Sequence, residues 1–188
     1  MSVYDIIKNR RTIRKFSQNP IDKEVLLKCI DAARVSPCGA NKQPLKYKII
    51  NDFETVQQIC PLVRWAAYIS PYGNPTKDEQ PTAFIAVTVD TNIKPNGYET
   101  DTGIAMQSIV LVAEENNIGS CLMGAIDHTA ISQILKLPEN LKLLYVIALG
   151  YKAEQPKECT VIDDDIKYFK DENGVINVPK RSMQDIII

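Results

Sequence analysis

Apolar residues recur along this chain with helical and strand-like spacing, and the alternation divides it into short elements. Ser2 and Asp5 have the spacing of a capping box, which predicts a short helix with Val3, Ile6 and Ile7 turned inward. Asp22 caps a second helix over about 23–34, with Leu26, Ile30 and Ala33 on one face. SPCGANKQP at 36–44, punctuated by Pro37, Gly39 and Pro44, reads as a loop. LKYKII at 45–50 predicts a strand, followed by a helix over 53–60. Residues 61–81 carry WAAYISPYGNPTKDEQP, rich in proline and aromatics, and predict an irregular loop that serves as a lid or wall over a site.

AFIAVTV at 83–89 reads as a buried strand and KPNG at 94–97 as a turn. From Thr100 to Asn117 runs the most apolar helix, with Ile104, Ala105, Met106, Ile109, Val110, Leu111, Val112 and Ala113 almost encircling it. Such a helix must be buried on all sides, either centrally or by a second subunit. Gly119 is expected to end it, and SCLMGA at 120–125 to be short and extended. Asp127 or Thr129 caps another helix to about Leu135, and LLYVIALG at 143–150 gives the clearest strand. The tail from 151 is polar, with a tight turn at Asn173-Gly174. Interleaved helices and strands predict an α+β (α/β layered) fold. No repeat or boundary appears, so residues 1–188 are expected to form one domain.

Composition narrows the function. No apolar run approaches the ~20 residues of a membrane span, and MSVYDIIKNRR has charges where a signal peptide needs its apolar core. The expected location is the cytoplasm. Cys29, Cys38, Cys60, Cys121 and Cys159 are scattered without a CxxC pair, which supports neither a zinc site nor a disulfide framework. The single histidine, His128, excludes multi-histidine metal sites and reads as a residue at a helix N-terminus. Asp163-Asp164-Asp165 reads as a solvated turn rather than a metal cluster.

The net charge is only −1, yet Lys8, Arg10, Arg11, Arg14 and Lys15 crowd into eight residues. A broad nucleic-acid face is not expected from a near-neutral chain with one local cluster. Clustered arginines repel unless an anion sits among them, and their forked donors match phosphate oxygens. Lys180-Arg181 forms a second basic pair that could close on the same phosphate. Neither GxxxxGK[ST] nor GxGxxG occurs, so a P-loop and a standard dinucleotide fold are disfavoured.

NRRTIRKF, ARVSPCGANKQPLKYKII, IGSCLMGAID, YVIALGY and VPKRSMQDII follow one another in an order that resembles the nitroreductase family of FMN-dependent flavoproteins. The resemblance implies a mixed sheet flanked by helices, assembled as an intertwined homodimer with FMN at the interface. It implies that Arg10, Arg11, Thr12 and Arg14 take the FMN phosphate, ribityl chain and pyrimidine edge, helped by Lys180 and Arg181. Pro37, Cys38, Gly39 and Asn41, in the loop that begins at Ser36, would reach the flavin from the partner subunit. Met123 and Gly124 would present backbone N–H groups to N5 and O4. Gln43-Pro44 continues the loop motif, and Leu45 stands where an aromatic is frequent. Arg11 and Cys38 replace smaller or hydroxyl residues.

The implied activity moves hydride from NAD(P)H to FMN and on to a nitroaromatic or quinone-like acceptor in ping-pong fashion. No catalytic side chain is required, since the chemistry is the flavin's. Trp65, Tyr68 and Tyr72 are candidates for the substrate pocket or for simple packing, and Cys38 for a pocket lining or a redox thiol. Other readings are a flavin carrier or Cys38-based redox sensor without turnover, and an unrelated phosphoryl-ligand module. Flavin-fragmenting and dehalogenating enzymes are alternatives within the family. The expected partners are a second copy and small molecules, with no nucleic acid or membrane.

Overall fold

The computed structural model describes residues 2–188. Its elements are α1 (Val3–Asn9), α2 (Lys23–Arg34), β1 (Leu45–Ile50), α3 (Phe53–Ile59), β2 (Ala83–Asp90), α4 (Glu99–Glu115), β3 (Ile118–Met123), α5 (His128–Ile134), β4 (Leu141–Tyr151), β5 (Lys157–Thr160), β6 (Phe169–Lys170) and β7 (Ile176–Lys180). Four strands form an antiparallel sheet in the order β1-β2-β4-β3. Among the described residues parallel pairing is confined to β5–β7 in a small second sheet, β5-β7-β6, and to an isolated bridge from Thr12 to Ser120. The α+β expectation holds. Among the described residues no helix is long and apolar enough to cross a membrane.

Both faces of the main sheet are covered, which is why β2 reads as an unbroken apolar run. Phe84, Ala86, Val146, Ala148, Cys121 and Met123 point to one face, against Val56 and Ile59 of α3 and Ile131 of α5. Ala83, Ile85, Val87, Ile147 and Leu149 point to the other, against α2 and α4. Ser2 and Asp5 complete the expected capping box of α1, but only Ile6 is buried. Val3 and Ile7 remain exposed, since this short helix touches the body along one line. On α4 the buried side chains run from Asp101 to Glu114 along an inner stripe. Ile104 stays 37% exposed and Leu111 half-buried, so one chain does not cover this helix on all sides. The irregular stretch 61–81 folds into short 3-10 turns at Cys60–Leu62, Ala67–Ile69 and Lys77–Glu79.

Gly119 does not end a helix as expected; it lies within β3, directly opposite Gly150 of β4. Over this glycine pair runs the extended segment Arg10–Phe16. A Cβ on Gly119 would sit 2.8 Å from Ile13 Cβ, and one on Gly150 would sit 2.8 Å from Phe16 Cβ. The N–H of Ile13 donates to the Ser120 carbonyl at 2.9 Å, and that of Ser17 to the Tyr151 carbonyl at 2.8 Å. Ile13 and Phe16 are thereby fully buried on the α3/α5 face. The segment is thus fixed by main-chain bonds and by two side chains that fit only above bare backbone. Gly150→Ala is expected to cost about 1–3 kcal/mol, the usual range for overpacking a tight contact, measured by urea unfolding.

Candidate functional site

The cations of this segment sort into two groups. Lys8 and Arg11 both pair with Glu158 on β5, and Lys15 pairs with Glu79 at 2.7 Å. Arg11 also donates to the Arg10 carbonyl at 2.7 Å, and its Nε is buried without a partner. Arg10 and Arg14 differ: among the described residues, no carboxylate lies within ion-pair distance of either. Arg10 is half-buried, and burial, then the charge of Arg11, pull its ordinarily very high pKa down. A partly dry cation beside a like charge, with only the more distant Glu114 to offset it, is an arrangement that an anion would relieve. Thr12 lies between them, half-buried, in the bridge to Ser120.

The Arg14 guanidinium lies over the ring of Tyr168, its Cζ 4.7 Å from the centroid. Tyr168 in turn meets Tyr68 at 5.0 Å between centroids, tilted by 52°. Glu154 Oε1 accepts the backbone N–H of Arg14 at 2.5 Å. Lys170 Nζ donates to the Tyr72 carbonyl at 2.6 Å, docking the irregular stretch onto the small sheet. Tyr68 and Tyr72 thus belong to an exposed aromatic edge near Arg14, whereas Trp65 packs against the core. Nothing in sequence flagged Tyr168, because the Tyr168-Phe169 pair in a polar tail has no periodicity to reveal its contact.

Lys180 ends β7 opposite Thr160, two positions beyond the pair formed by Val178 and Glu158. Arg181 pairs with Asp164 at 2.6 Å, which pushes its pKa up. Both are exposed, at and just past the end of the strand beside β5, whose Glu158 holds Arg11. Asp163 and Asp164 adopt left-handed turn conformations, and no metal-binding cluster occurs among the described residues.

Met123 is buried at the end of β3. Gly124 follows at the mouth of a cavity of about 790 Å³ between α4, β4 and α5. A Cβ at Gly124 would lie 2.8 Å from Tyr145 Cε1, so a close approach dictates the glycine. His128 begins α5 as expected and lines the same cavity, its Nδ1 3.1 Å from the Leu143 carbonyl oxygen.

The loop 36–44 lies on the other side of the sheet, against α2 and α4. Asp101 of α4, 5% exposed, gathers it: Oδ1 accepts the Gly39 N–H at 2.9 Å, and Oδ2 accepts from Cys38 Sγ at 3.4 Å and Lys94 Nζ at 2.6 Å. Cys38 Sγ also accepts the Gln43 N–H at 3.3 Å, and Ser36 meets Ser108 at 2.6 Å. These bonds hold Ala40, Asn41 and Gln43 at positive φ, which is costly for residues with a Cβ. Pro37, Gly39 and Asn41 remain exposed, offered outward rather than packed. Burial pushes the thiols of Cys29, Cys60 and Cys121 up to about 11, so these stay protonated fillers of the core.

Comparison with known proteins gives this geometry its context. A protein-family model described as the nitroreductase family matches residues 7–151. The "Putative NADH dehydrogenase/NAD(P)H nitroreductase" of Methanothermobacter thermautotrophicus is 30% identical over 171 residues, covering 88% of this chain and 85% of that protein. The iodotyrosine deiodinase of Nematostella vectensis is 25% identical over 177 residues, covering 80% of this chain and 67% of that protein. The solved structure of an FMN-dependent nitroreductase from Clostridium difficile R20291 superposes with a TM-score of 0.65 at 23% identity, covering 85% of this chain and 91% of that one. The motifs beginning at NRRTIRKF therefore stand in a fold and order shared across most of the chain, which belongs to the nitroreductase family.

Proposed function

We propose that the chain is an FMN-dependent NAD(P)H oxidoreductase, active as a homodimer and acting on nitroaromatic or quinone-like acceptors. The observation that carries this reading is the pair of arginines, Arg10 and Arg14, left without carboxylates in a segment whose other cations are all paired. Gly124, held without a side chain by the close approach of Tyr145, lines a cavity of about 790 Å³ beside the end of β3. The "FMN-dependent" name of the Clostridium relative points the same way.

When bound, FMN would accept a hydride from NAD(P)H and pass the electron pair to the acceptor in a ping-pong cycle. Arg10 would hold the phosphate, with Lys180 and Arg181 at its rim and Thr12 against the ribityl chain. Arg11 is committed to Glu158 and would act by fixing Arg10 through their shared backbone contact. Arg14 would stabilise the negative charge that reduction places on the pyrimidine edge. Met123 and Gly124 would supply backbone donors, and the aromatic edge of Tyr68 and Tyr72 would border the acceptor. Pro37, Cys38, Gly39 and Asn41 of a second copy would complete the site. Cys38, spent on Asp101 and Gln43, serves here as a structural hub.

The test begins with the absorbance of the purified protein, with FMN added, followed by anaerobic NADH and then NADPH. A flavin spectrum that bleaches with either donor is expected, with turnover on nitroaromatics, quinones and an iodotyrosine compared afterwards. A protein that stays colourless with added FMN overturns the proposal, and one that is yellow but never bleaches indicates a flavin carrier. Arg10→Ala is expected to weaken FMN binding by about 1.5–3 kcal/mol, the range for a hydrogen bond to a charged group, measured by fluorescence titration.

Asp101 gives a second prediction. Its pKa is held below the ordinary carboxylate value, first by Lys94, then by the Gly39 N–H. A depressed folded value means that this carboxylate stabilises the loop above the ordinary 3.8 and loses that contribution as pH falls through the lowered value. Asp101→Ala is expected to cost about 3 kcal/mol, as for breaking a buried ion pair. Hydrogen exchange of the 36–44 amides should accelerate, and FMN affinity should fall with it.

A further inference from the structure

We infer that Tyr168 is a positioning residue that holds Arg14 through its ring face and thereby sets the reduction potential of the bound flavin. The inference rests on the reading that places Arg14 at the pyrimidine edge. It goes beyond the motifs that resemble the family, because Tyr168 lies in none of them and outside the matched span of 7–151.

The cations of the basic segment are held in different ways. Lys8, Arg11 and Lys15 are held by carboxylates, and a carboxylate that fixes a cation also cancels its field. Arg14 is held differently, by the Tyr168 ring 4.7 Å from its Cζ. A cation over an aromatic face is attracted by the ring quadrupole but keeps its full charge. The guanidinium N–H groups lie in its own plane and point outward around its rim, so a ring against its face leaves them free for an acceptor. Among the described residues the Arg14 side chain has no carboxylate within ion-pair distance. Glu154, the nearby acid, accepts from the backbone N–H of Arg14 and Lys15.

Tyr168 is itself braced. Tyr68 packs against it at 5.0 Å and 52°, a tilted geometry that suits aromatic pairs. The bond from Lys170 to the Tyr72 carbonyl ties the two supporting segments together just beyond. The arrangement therefore delivers an oriented, unneutralised charge to the place where reduction would deposit negative charge. A salt bridge at the same position would orient the guanidinium and discard most of its effect.

The experiment is a series at position 168 in the FMN-loaded protein, with the reduction potential measured by equilibration against reference dyes. FMN affinity and the single-turnover rate of reduction by NAD(P)H are recorded beside it. Tyr168→Phe keeps the ring and should leave the potential near that of the parent. Tyr168→Leu keeps bulk without a π face and should shift the two-electron equilibrium about tenfold toward oxidised flavin, or about 30 mV downward. Tyr168→Trp, with the strongest face for a cation, should move it upward. If the leucine variant fails to retain FMN, the order of Phe, Tyr and Trp decides. Leu and Phe variants with equal potentials, or a Trp variant no higher than Phe, overturn the inference while leaving the flavoenzyme reading intact. A parent protein that binds no FMN overturns both.

Discussion

The contact on which the site depends is the passage of Ile13 and Phe16 over the facing glycines of β3 and β4. Segment 10–16 belongs to no strand of the main sheet; main-chain bonds at Ile13 and Phe16 and the Glu154 carboxylate at Arg14 tack it down, and its two apolar side chains seat it. Two adjacent bare positions create a trough in the sheet, and the two apolar side chains fill it completely. Burial of two large side chains is worth several kcal/mol, about 1.5–3 kcal/mol each. That stabilisation offsets the repulsion of the cations threaded between and beside them. The basic residues are thus rigid before any ligand arrives, which is the condition for binding an anion without a large ordering cost.

Much of the architecture was legible because the local rules agree with one another. Capping residues at Ser2, Asp22 and Asp127, the loop punctuation at 36–44, and the apolar runs at 83–89 and 143–150 all lead to the observed elements. The failures are those of partnership. Helical spacing turned Val3 and Ile7 inward, but α1 meets the body only through Ile6. Gly119 follows a helix and resembles a terminator, whereas its use depends on Gly150, thirty-one residues away and visible only through strand register. The same holds for charge. The sequence presents five equivalent cations, and only tertiary contacts with Glu158 and Glu79 reveal which are consumed.

The two halves of the candidate site lie on opposite faces of one sheet. Ile13 and Phe16 anchor the arginines on the face covered by α3 and α5. The 36–44 loop packs on the face covered by α2 and α4, where Asp101 holds it in a conformation costly for Ala40, Asn41 and Gln43. Strain of this kind persists only where the surroundings enforce it, and the enforced surface is turned outward. A loop so shaped turns Pro37, Gly39 and Asn41 outward, where they touch nothing that would explain the strain. The incompletely covered stripe of α4, with Ile104 and Leu111, lies on the same side.

These features have one economical explanation. A ligand that needs both the arginines and the loop cannot be served by a single sheet a few ångströms thick in backbone yet covered on both faces. Two copies that bring their α4 stripes together would bury the apolar remainder of that helix and present each loop to the other chain's arginines. The apolar surplus of α4, the outward strain of the 36–44 loop and the unneutralised Arg10 and Arg14 are unrelated oddities in a monomer. In the homodimer proposed above they would become the parts of one site, each chain supplying what the other lacks.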